Sequence, residues 1–160
     1  ALWQYVIAGR QRVSCERVCS GPGIDRIYRY LQGLCREALS AEESATPADT
    51  VDFVPRIVET AMRRDDPCPL CVKTLRLYAS ILGAEAGNLA LKVMATGGVY
   101  LGGGIPPRIV PFLQEGGFLR SFKEKGRMSK LMENMPVHVI LDPRAPLSGA
   151  ACLYWEKEDT

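Results

Sequence analysis

Apolar residues recur at helical spacing through the first half of the chain, and short breaks rich in glycine, proline or polar residues separate them. A first amphipathic helix, weakened at Gly9, is predicted by Leu2, Tyr5, Val6 and Val13. A second is predicted after the break Ser20-Gly21-Pro22-Gly23 by Ile24, Ile27, Tyr28 and Leu31. The small and polar residues 40–50 predict an exposed connection, in which Thr46-Pro47 can cap a short helix.

Two prolines mark further helix starts. Pro55 is predicted to lie in the first turn of a helix whose apolar residues are Ile57, Val58, Ala61 and Met62. Asp66-Pro67 predicts the cap and start of a long helix, with one face formed by Cys71, Leu75, Tyr78, Leu82, Leu89 and Val93. Gly83 and Gly87 each weaken this helix by about 1 kcal/mol relative to Ala, so we expect close packing against another backbone there.

The pattern changes after Gly97-Gly98. Val99-Tyr100-Leu101 predicts a short buried strand, and the almost uniformly apolar Val137–Leu141 predicts a second strand covered on both faces. Helical segments are predicted between the strands at 108–115, 118–125 and about 127–134, and in the tail at 147–155. Strands linked by helices are expected to be parallel, with a right-handed crossover.

The sequence therefore predicts a helix-rich α/β chain with a short parallel strand pair. Two strands seldom form a stable sheet alone, because three or more with a covered face are normally needed. Either the chain borrows strands from elsewhere, or its helices form their own core beside the pair.

Composition narrows the class of protein. The 160 residues are 47% hydrophobic, and 20 Lys and Arg against 18 Asp and Glu give a net charge of +2. No apolar run approaches the roughly 20 residues of a membrane-spanning helix, and the near-neutral balance argues against a nucleic-acid binder. Six cysteines in a chain of this length, without a visible secretory leader, favour a reducing cytoplasmic location. The chain begins with Ala rather than Met, so its completeness is unproven.

The glycine-rich turn at 101–107 is the strongest local signal for a binding site. Glycines let a ligand approach the backbone, and a helix N-terminus favours negative charge. Pro106 and Pro107, however, remove two N–H donors, and neither a Walker A loop nor a regular dinucleotide fingerprint is present. The turn therefore suits a flat nucleoside surface better than a triphosphate, with Gly103 and Gly104 as donors; a tight connection without a ligand is the alternative.

Each of the other candidate residues also has a simple structural interpretation. Cys68-Pro69-Leu70-Cys71 suggests a metal or redox pair, but a second pair of ligands is missing and the cysteines are predicted in the first turn of a helix. The single histidine, His138, is predicted to be a core or interface residue in its strand. The basic stretch 120–130 is predicted to be a solvated helix face. Glu16 could accept hydroxyl hydrogen bonds from a polar ligand, or pair with Arg12 one turn away.

Several segments together resemble one family. Residues 14–23, Ser-Cys-Glu-Arg-Val-Cys-Ser-Gly-Pro-Gly, are similar to the Ser-x-Glu-Arg-x-x-Ser-Gly-Pro-Gly segment of bacterial-type glucokinases. Residues 87–91 and 97–108, with Gly-Gly-Val-Tyr-Leu-Gly-Gly-Gly-Ile, resemble their nucleotide-side segment. Residues 118–127, 136–137 and 147–151 match the remaining C-terminal half in order and spacing.

The resemblance implies an actin-like, ribonuclease-H-like ATPase fold with the active site between two lobes. It implies transfer of the γ-phosphoryl group of ATP to the 6-hydroxyl of glucose, with Mg²⁺. Glu16 would be a sugar ligand, and Gly103, Gly104 and Ile105 would form the adenosine-side turn. Residues 1–146 would belong to the large lobe, and residues 147–160 would form a final helix returning towards the small lobe.

The family's N-terminal phosphate loop, its Asn-Asp pair with the catalytic base and its Glu-x-x-His sugar motif are not found in these 160 residues. We therefore expect the chain to be the C-terminal part of a glucokinase, inactive alone, whose partner is the missing N-terminal part and which is able to form a homodimer. A related hexose kinase and a sugar- or nucleotide-binding regulator without catalysis are the alternatives.

Overall fold

The computed structural model describes residues 1–9, 11–38 and 53–156. Eight α-helices lie in these ranges: α1 (Leu2–Ile7), α2 (Gly21–Ala38), α3 (Phe53–Ala61), α4 (Pro69–Val93), α5 (Val110–Gln114), α6 (Gly117–Lys123), α7 (Ser129–Glu133) and α8 (Ala145–Glu156). Two strands, β1 (Val99–Leu101) and β2 (Val137–Val139), and 3₁₀ turns at Cys15–Arg17, Pro106–Ile109 and Gly126–Met128 complete them. The predicted connection at 40–50, with its cap at Thr46-Pro47, lies outside the described residues.

Helix α4 is the centre of the molecule. It contacts α2, α3, α5 and α6, and the core is almost entirely helical. Fully buried large side chains include Ile24, Ile27, Ile57, Leu75, Ile109, Phe118, Phe122 and Met132. The helices thus form their own core beside the strand pair, to which β1 contributes the buried Leu101.

The predicted stripe of α2 is confirmed, since Ile24, Ile27, Tyr28 and Leu31 are all buried. Helix α1 is shorter than predicted, because it ends at Ile7 and Gly9 adopts a left-handed φ of +72°. Helix α3 includes Pro55 in its first turn as expected, and it buries Ile57 and Ala61 but leaves Met62 exposed.

The start of α4 differs from the prediction. The helix begins at Pro69, with Cys68 as its N-cap, and no side chain caps it. Asp66 instead has a positive φ of +58° and precedes the helix. Pro69 takes over the role predicted for Pro67, because a proline loses nothing at the first helical position.

The C-terminal half of α4 also buries a different face from the one predicted. Leu89 and Val93 are 59% and 65% exposed, whereas the small residues Gly83, Ala86, Gly87 and Ala90 are buried. A Cβ on Gly83 would collide with the carbonyl of Phe118, and one on Gly87 with the carbonyl of Phe122. The expected close backbone contact is confirmed, and it is this contact with α6 that selects small residues.

The strand pair is parallel, with Val99 opposite Val137 and Leu101 opposite Val139. The prediction that both faces of β2 are buried is wrong for the described residues. Val137 and Val139 are only half-buried, and Leu141 is 68% exposed. His138 is likewise exposed rather than in a core, and its ring stacks on Tyr100 with centroids 5.0 Å apart.

None of the helices in the described ranges has the length and apolarity needed to cross a bilayer.

Candidate functional site

A polar hollow of about 260 Å³ lies beside the 3₁₀ turn that carries Glu16. It is lined by Ser14, Glu16, Arg17, Ser20, Pro22 and Arg26. The carboxylate of Glu16 is exposed, and no ion pair joins it to Arg12 among the described residues. The carboxylate oxygens are therefore available to hydroxyl donors in the hollow.

Hydrogen bonds fix the turn that presents Glu16. The N–H of Arg17 donates to the carbonyl of Ser14 at 3.1 Å, and the N–H of Val18 donates to that of Cys15 at 3.0 Å. From α2, Nη1 of Arg26 donates to the carbonyl of Arg17 at 3.0 Å. The turn is thus tied to the first two turns of the following helix.

The break predicted at Ser20-Gly21-Pro22-Gly23 is largely helical, because α2 begins at Gly21 and follows this turn after three residues. The N–H of Gly23 donates to both the carbonyl oxygen and Oγ of Ser20, at 3.0 and 3.2 Å. A Cβ on Gly23 would lie 2.6 Å from the carbonyl carbon of Val18, so the chain can turn this tightly only with glycine there. This tight start of α2 therefore holds the turn that carries Glu16 against the N-terminus of the helix.

The glycine-rich turn after β1 lies close to the same segment. Ile105 Cδ1 is 3.9 Å from the position that a Cβ on Gly21 would occupy. Gly103 has a left-handed φ of +100°, and no atom lies within 4 Å of a Cβ built on Gly103 or Gly104. The structure thus places the candidate residue Ile105 near Gly21 and leaves the backbone of Gly103 and Gly104 open.

Pro106 and Pro107 open a 3₁₀ turn, as their fixed φ favours, and the N–H of Arg108 donates to the carbonyl of Ile105 at 3.0 Å. Pro106 is buried, which holds this turn against the helical core. Because both prolines lack an N–H group, the start of this turn offers no backbone donor at these two positions.

Sequence reasoning missed a contact from α4 that reaches the Glu16 turn. Burial raises the pKa of the Cys15 thiol, and a hydrogen bond to the Glu85 carboxylate raises it further. Burial raises the pKa of Cys19 to about 12, with Cys15 as the next contributor. Glu85 lies 70 residues from Cys15, and nothing in local spacing signals such a contact.

Glu85 also stands near Lys125 of the predicted basic face. Lys125 Nζ donates to the carbonyl of Ala84 at 2.8 Å, and burial lowers the pKa of this lysine while Glu85 opposes the shift. Arg120, Arg127 and Lys130 are exposed as predicted, whereas Lys123 and Lys125 are only partly exposed.

The residues that the structure describes include no group of three or more His, Cys, Asp or Glu side chains able to hold a metal ion.

The family model, the curated relatives and a solved structure that match this chain all belong to one family. The glucokinase family model matches residues 1–157. A glucokinase of Trichormus variabilis is 42% identical over 151 residues, and one of Neisseria meningitidis is 38% identical over 150 residues. These alignments cover 88% and 94% of this chain but only 44% and 42% of the two relatives.

A solved structure agrees. The crystal structure of a glucokinase from an Antarctic psychrotroph matches 96% of this chain with a TM-score of 0.73 and 34% identity, over 44% of its own length. The chain thus spans less than half the length of the relatives that it matches.

Proposed function

The chain belongs to the glucokinase family, and from that premise we propose that it is the C-terminal part of an enzyme that phosphorylates glucose with ATP. In the complete protein, the oxygen of the 6-hydroxyl would attack the γ-phosphorus, and the bond to the β-phosphate oxygen would break. The hydroxyl proton would pass to a base outside these 160 residues. Mg²⁺ would be held by the phosphates of ATP and by groups outside this segment.

Glu16 is proposed to bind the sugar. Its exposed carboxylate lies in the polar hollow, on a turn held by Arg26 and by the tight Ser20-Gly21-Pro22-Gly23 segment. A carboxylate accepts hydrogen bonds from two hydroxyls at once, and such charge-assisted bonds orient a polyol. A fixed carboxylate would therefore select both the identity and the orientation of the sugar.

Gly103, Gly104 and Ile105 are proposed to form the adenosine-side turn. The observation that carries the proposal is that Ile105 Cδ1 lies 3.9 Å from the position of a Cβ on Gly21, so the glycine-rich turn lies beside the segment that presents Glu16. A sugar and a nucleotide bound at these two places would be neighbours, as phosphoryl transfer requires. The proline-blocked start of the following turn fits a nucleoside and leaves the phosphates to groups elsewhere.

We propose further that residues 1–146 form the C-terminal part of the large lobe of an actin-like fold, and that residues 147–160 return towards the small lobe. The exposed apolar side chains of α8, Leu147 at 75% and Leu153 at 65%, support a further covering surface in the complete protein. The proposal includes an N-terminal part of the same protein as partner, the ability to form a homodimer and a cytoplasmic location.

The sugar role is tested by replacing Glu16 with Gln in the complete protein. Hydrogen bonds to a charged group contribute about 1.5–3 kcal/mol, so we expect kcat/KM for glucose to fall about 10- to 100-fold while the KM for ATP stays constant. Glu133→Gln, which removes an exposed carboxylate on α7, is the matched control. Unchanged glucose kinetics in Glu16→Gln would remove this residue from the sugar site.

Inactivity of the segment has its own test. Chain 1–160 alone should produce no glucose 6-phosphate in a coupled assay, and measurable turnover would refute this. If the complete protein bound glucose without turnover, the alternative of a sugar-binding regulator would replace the enzyme.

A further inference from the structure

Two cysteines lie at the N-terminus of α4 in an arrangement that the kinase proposal does not use. Cys68 is the N-cap of the 25-residue helix and Cys71 is its third residue. The N–H of Val72 donates to the carbonyl of Cys68 at 3.0 Å, which closes this first turn and brings the two side chains onto one side. Both are free thiols.

The two thiols differ in access. Cys71 is 5% exposed, whereas Cys68 is only partly buried. Burial raises the pKa of Cys71 to about 12, and a hydrogen bond with Cys68 adds to the shift. Cys71 is therefore a protonated, protected thiol beside a more accessible one.

Cys68 and Cys71 both line a cavity of about 140 Å³ between α2, α3 and the start of α4. Its other walls are Tyr28, Phe53, Arg56, Ile57 and Thr60. Arg56 contributes a positive charge, and the N-terminal end of a long helix stabilises anions. The cavity is open to solvent and reaches both cysteines, so a small reagent can approach them there.

We propose that Cys68 and Cys71 form a redox-active dithiol that reacts with low-molecular-weight disulfides. The thiolate of Cys68 attacks a disulfide RSSR, forms a Cys68–SR bond and releases RS⁻. The thiol of Cys71 then attacks the sulfur of Cys68, forms the Cys68–Cys71 disulfide and releases the second RS⁻, which takes the proton from Cys71. Two protein thiols are oxidised, and RSSR is reduced to two thiols.

The chain contains a second close pair that serves as an internal control. Cys15 and Cys19 lie four residues apart, and the N–H of Cys19 donates to the carbonyl of Cys15 at 3.0 Å. Here the Glu85 carboxylate opposes a thiolate at Cys15, and burial raises the pKa of both thiols. We expect this pair to stay reduced under conditions that oxidise Cys68 and Cys71.

The test is oxidation of the full chain in mixtures of oxidised and reduced glutathione at neutral pH, followed by acid quenching, alkylation and peptide mass analysis. Cys68 and Cys71 share the tryptic peptide 65–73, so their disulfide removes two hydrogen atoms and blocks both alkylations. This peptide should oxidise at least about tenfold faster than the peptide segments carrying Cys15 and Cys19.

Variants separate the two roles. Cys71→Ser should accumulate glutathione on Cys68, and Cys68→Ser should leave Cys71 unmodified over the same period. Cys15→Ser, the control, should not change the rate at peptide 65–73. The proposal is overturned if Cys71 reacts as fast as Cys68, if the Cys15–Cys19 pair oxidises equally fast, or if peptide 65–73 remains fully alkylated. None of these readouts depends on kinase activity.

Discussion

At the residue scale, Gly104 offers a test of the proposed nucleotide contact that leaves the fold intact. No atom lies within 4 Å of a Cβ at this position, and its φ is not in the left-handed region, so a side chain fits the protein. In Gly104→Val of the complete protein, the added methyl groups would occupy the space proposed for the nucleoside. We expect the KM for ATP to rise about tenfold or more while the KM for glucose is unchanged.

Gly117→Val is the matched control, because Gly117 also has open space and lies at the start of α6, outside the nucleotide-side segment. It should leave both KM values unchanged. Equal ATP kinetics in Gly104→Val and the parent would show that the nucleoside does not approach this turn.

The sequence predicted the local features of the candidate site and missed those that depend on distant residues. Glu16, the Ser20–Gly23 break and the Gly103-Gly104-Ile105 turn are recognisable because their residue types and order carry the signal. The contacts of Arg26 with Arg17 and of Glu85 with Cys15 are set by how the helices pack. Local spacing has no information about such contacts.

At the scale of elements, the contact between α4 and α6 should dominate the response to small substitutions. Gly83→Ala places a Cβ against the backbone carbonyl of Phe118, which cannot move without shifting α6. We expect the free energy of unfolding to fall by about 1–3 kcal/mol, as overpacking costs. Chemical denaturation of the chain measures this loss.

Gly33 in α2 provides the opposite case within the same molecule. Nothing lies within 4 Å of a Cβ there, so Gly33→Ala should stabilise the helix by about 0.5–1 kcal/mol. If both alanines changed stability in the same direction and by the same amount, the close contact at Gly83 would be refuted.

Helix positions were easier to predict than helix faces. The existence of α2, α3 and α4 follows from periodicity and proline placement, but the buried face of α4 changes along its length. Leu89 and Val93 are apolar yet exposed, because α6 approaches on the glycine and alanine side. A prediction from hydrophobicity alone assigns large apolar residues to the core. It therefore misses a buried helix face made of small residues that allow close packing.

At the scale of the whole molecule, buried ionisable groups predict loss of stability in alkali. Burial raises the pKa of Cys19 and Cys71 from 9.0 to about 12, and that of Tyr78 from 10.0 to about 12. Below pH 9 these groups are protonated in both states, and their contribution is fully present. As the pH rises from 9 towards 12, the unfolded chain loses its protons first, so folding becomes less favourable.

We expect the Tm to decline steadily above about pH 9 in thermal melts recorded from pH 7 to 11. Cys71→Ala should flatten this decline, whatever its effect at pH 7, and the exposed Cys152→Ala should not. A decline of the same slope in all three proteins would show that Cys71 does not contribute.

The exposed apolar residues on α8 lead to a prediction that compares this 160-residue chain with the complete protein. Leu147 is 75% exposed in this chain, so Leu147→Ala should change its stability by no more than about 0.5 kcal/mol. In the complete protein, where we propose that α8 meets the small lobe, the same substitution should cost about 2–5 kcal/mol if the side chain is fully covered. Equal effects in the two proteins would contradict the proposed placement of residues 147–160.

The glycine contacts between α4 and α6 also lock the two helices in register. Phe118 faces Gly83 and Phe122 faces Gly87, so the helices run in the same direction here. A slide of one turn either way would set a phenylalanine carbonyl against Ala79 or Leu91, each of which has a Cβ. Helices α4 and α6 must therefore move together as one rigid unit. Any hinge that opens or closes the protein has to lie outside this helix pair.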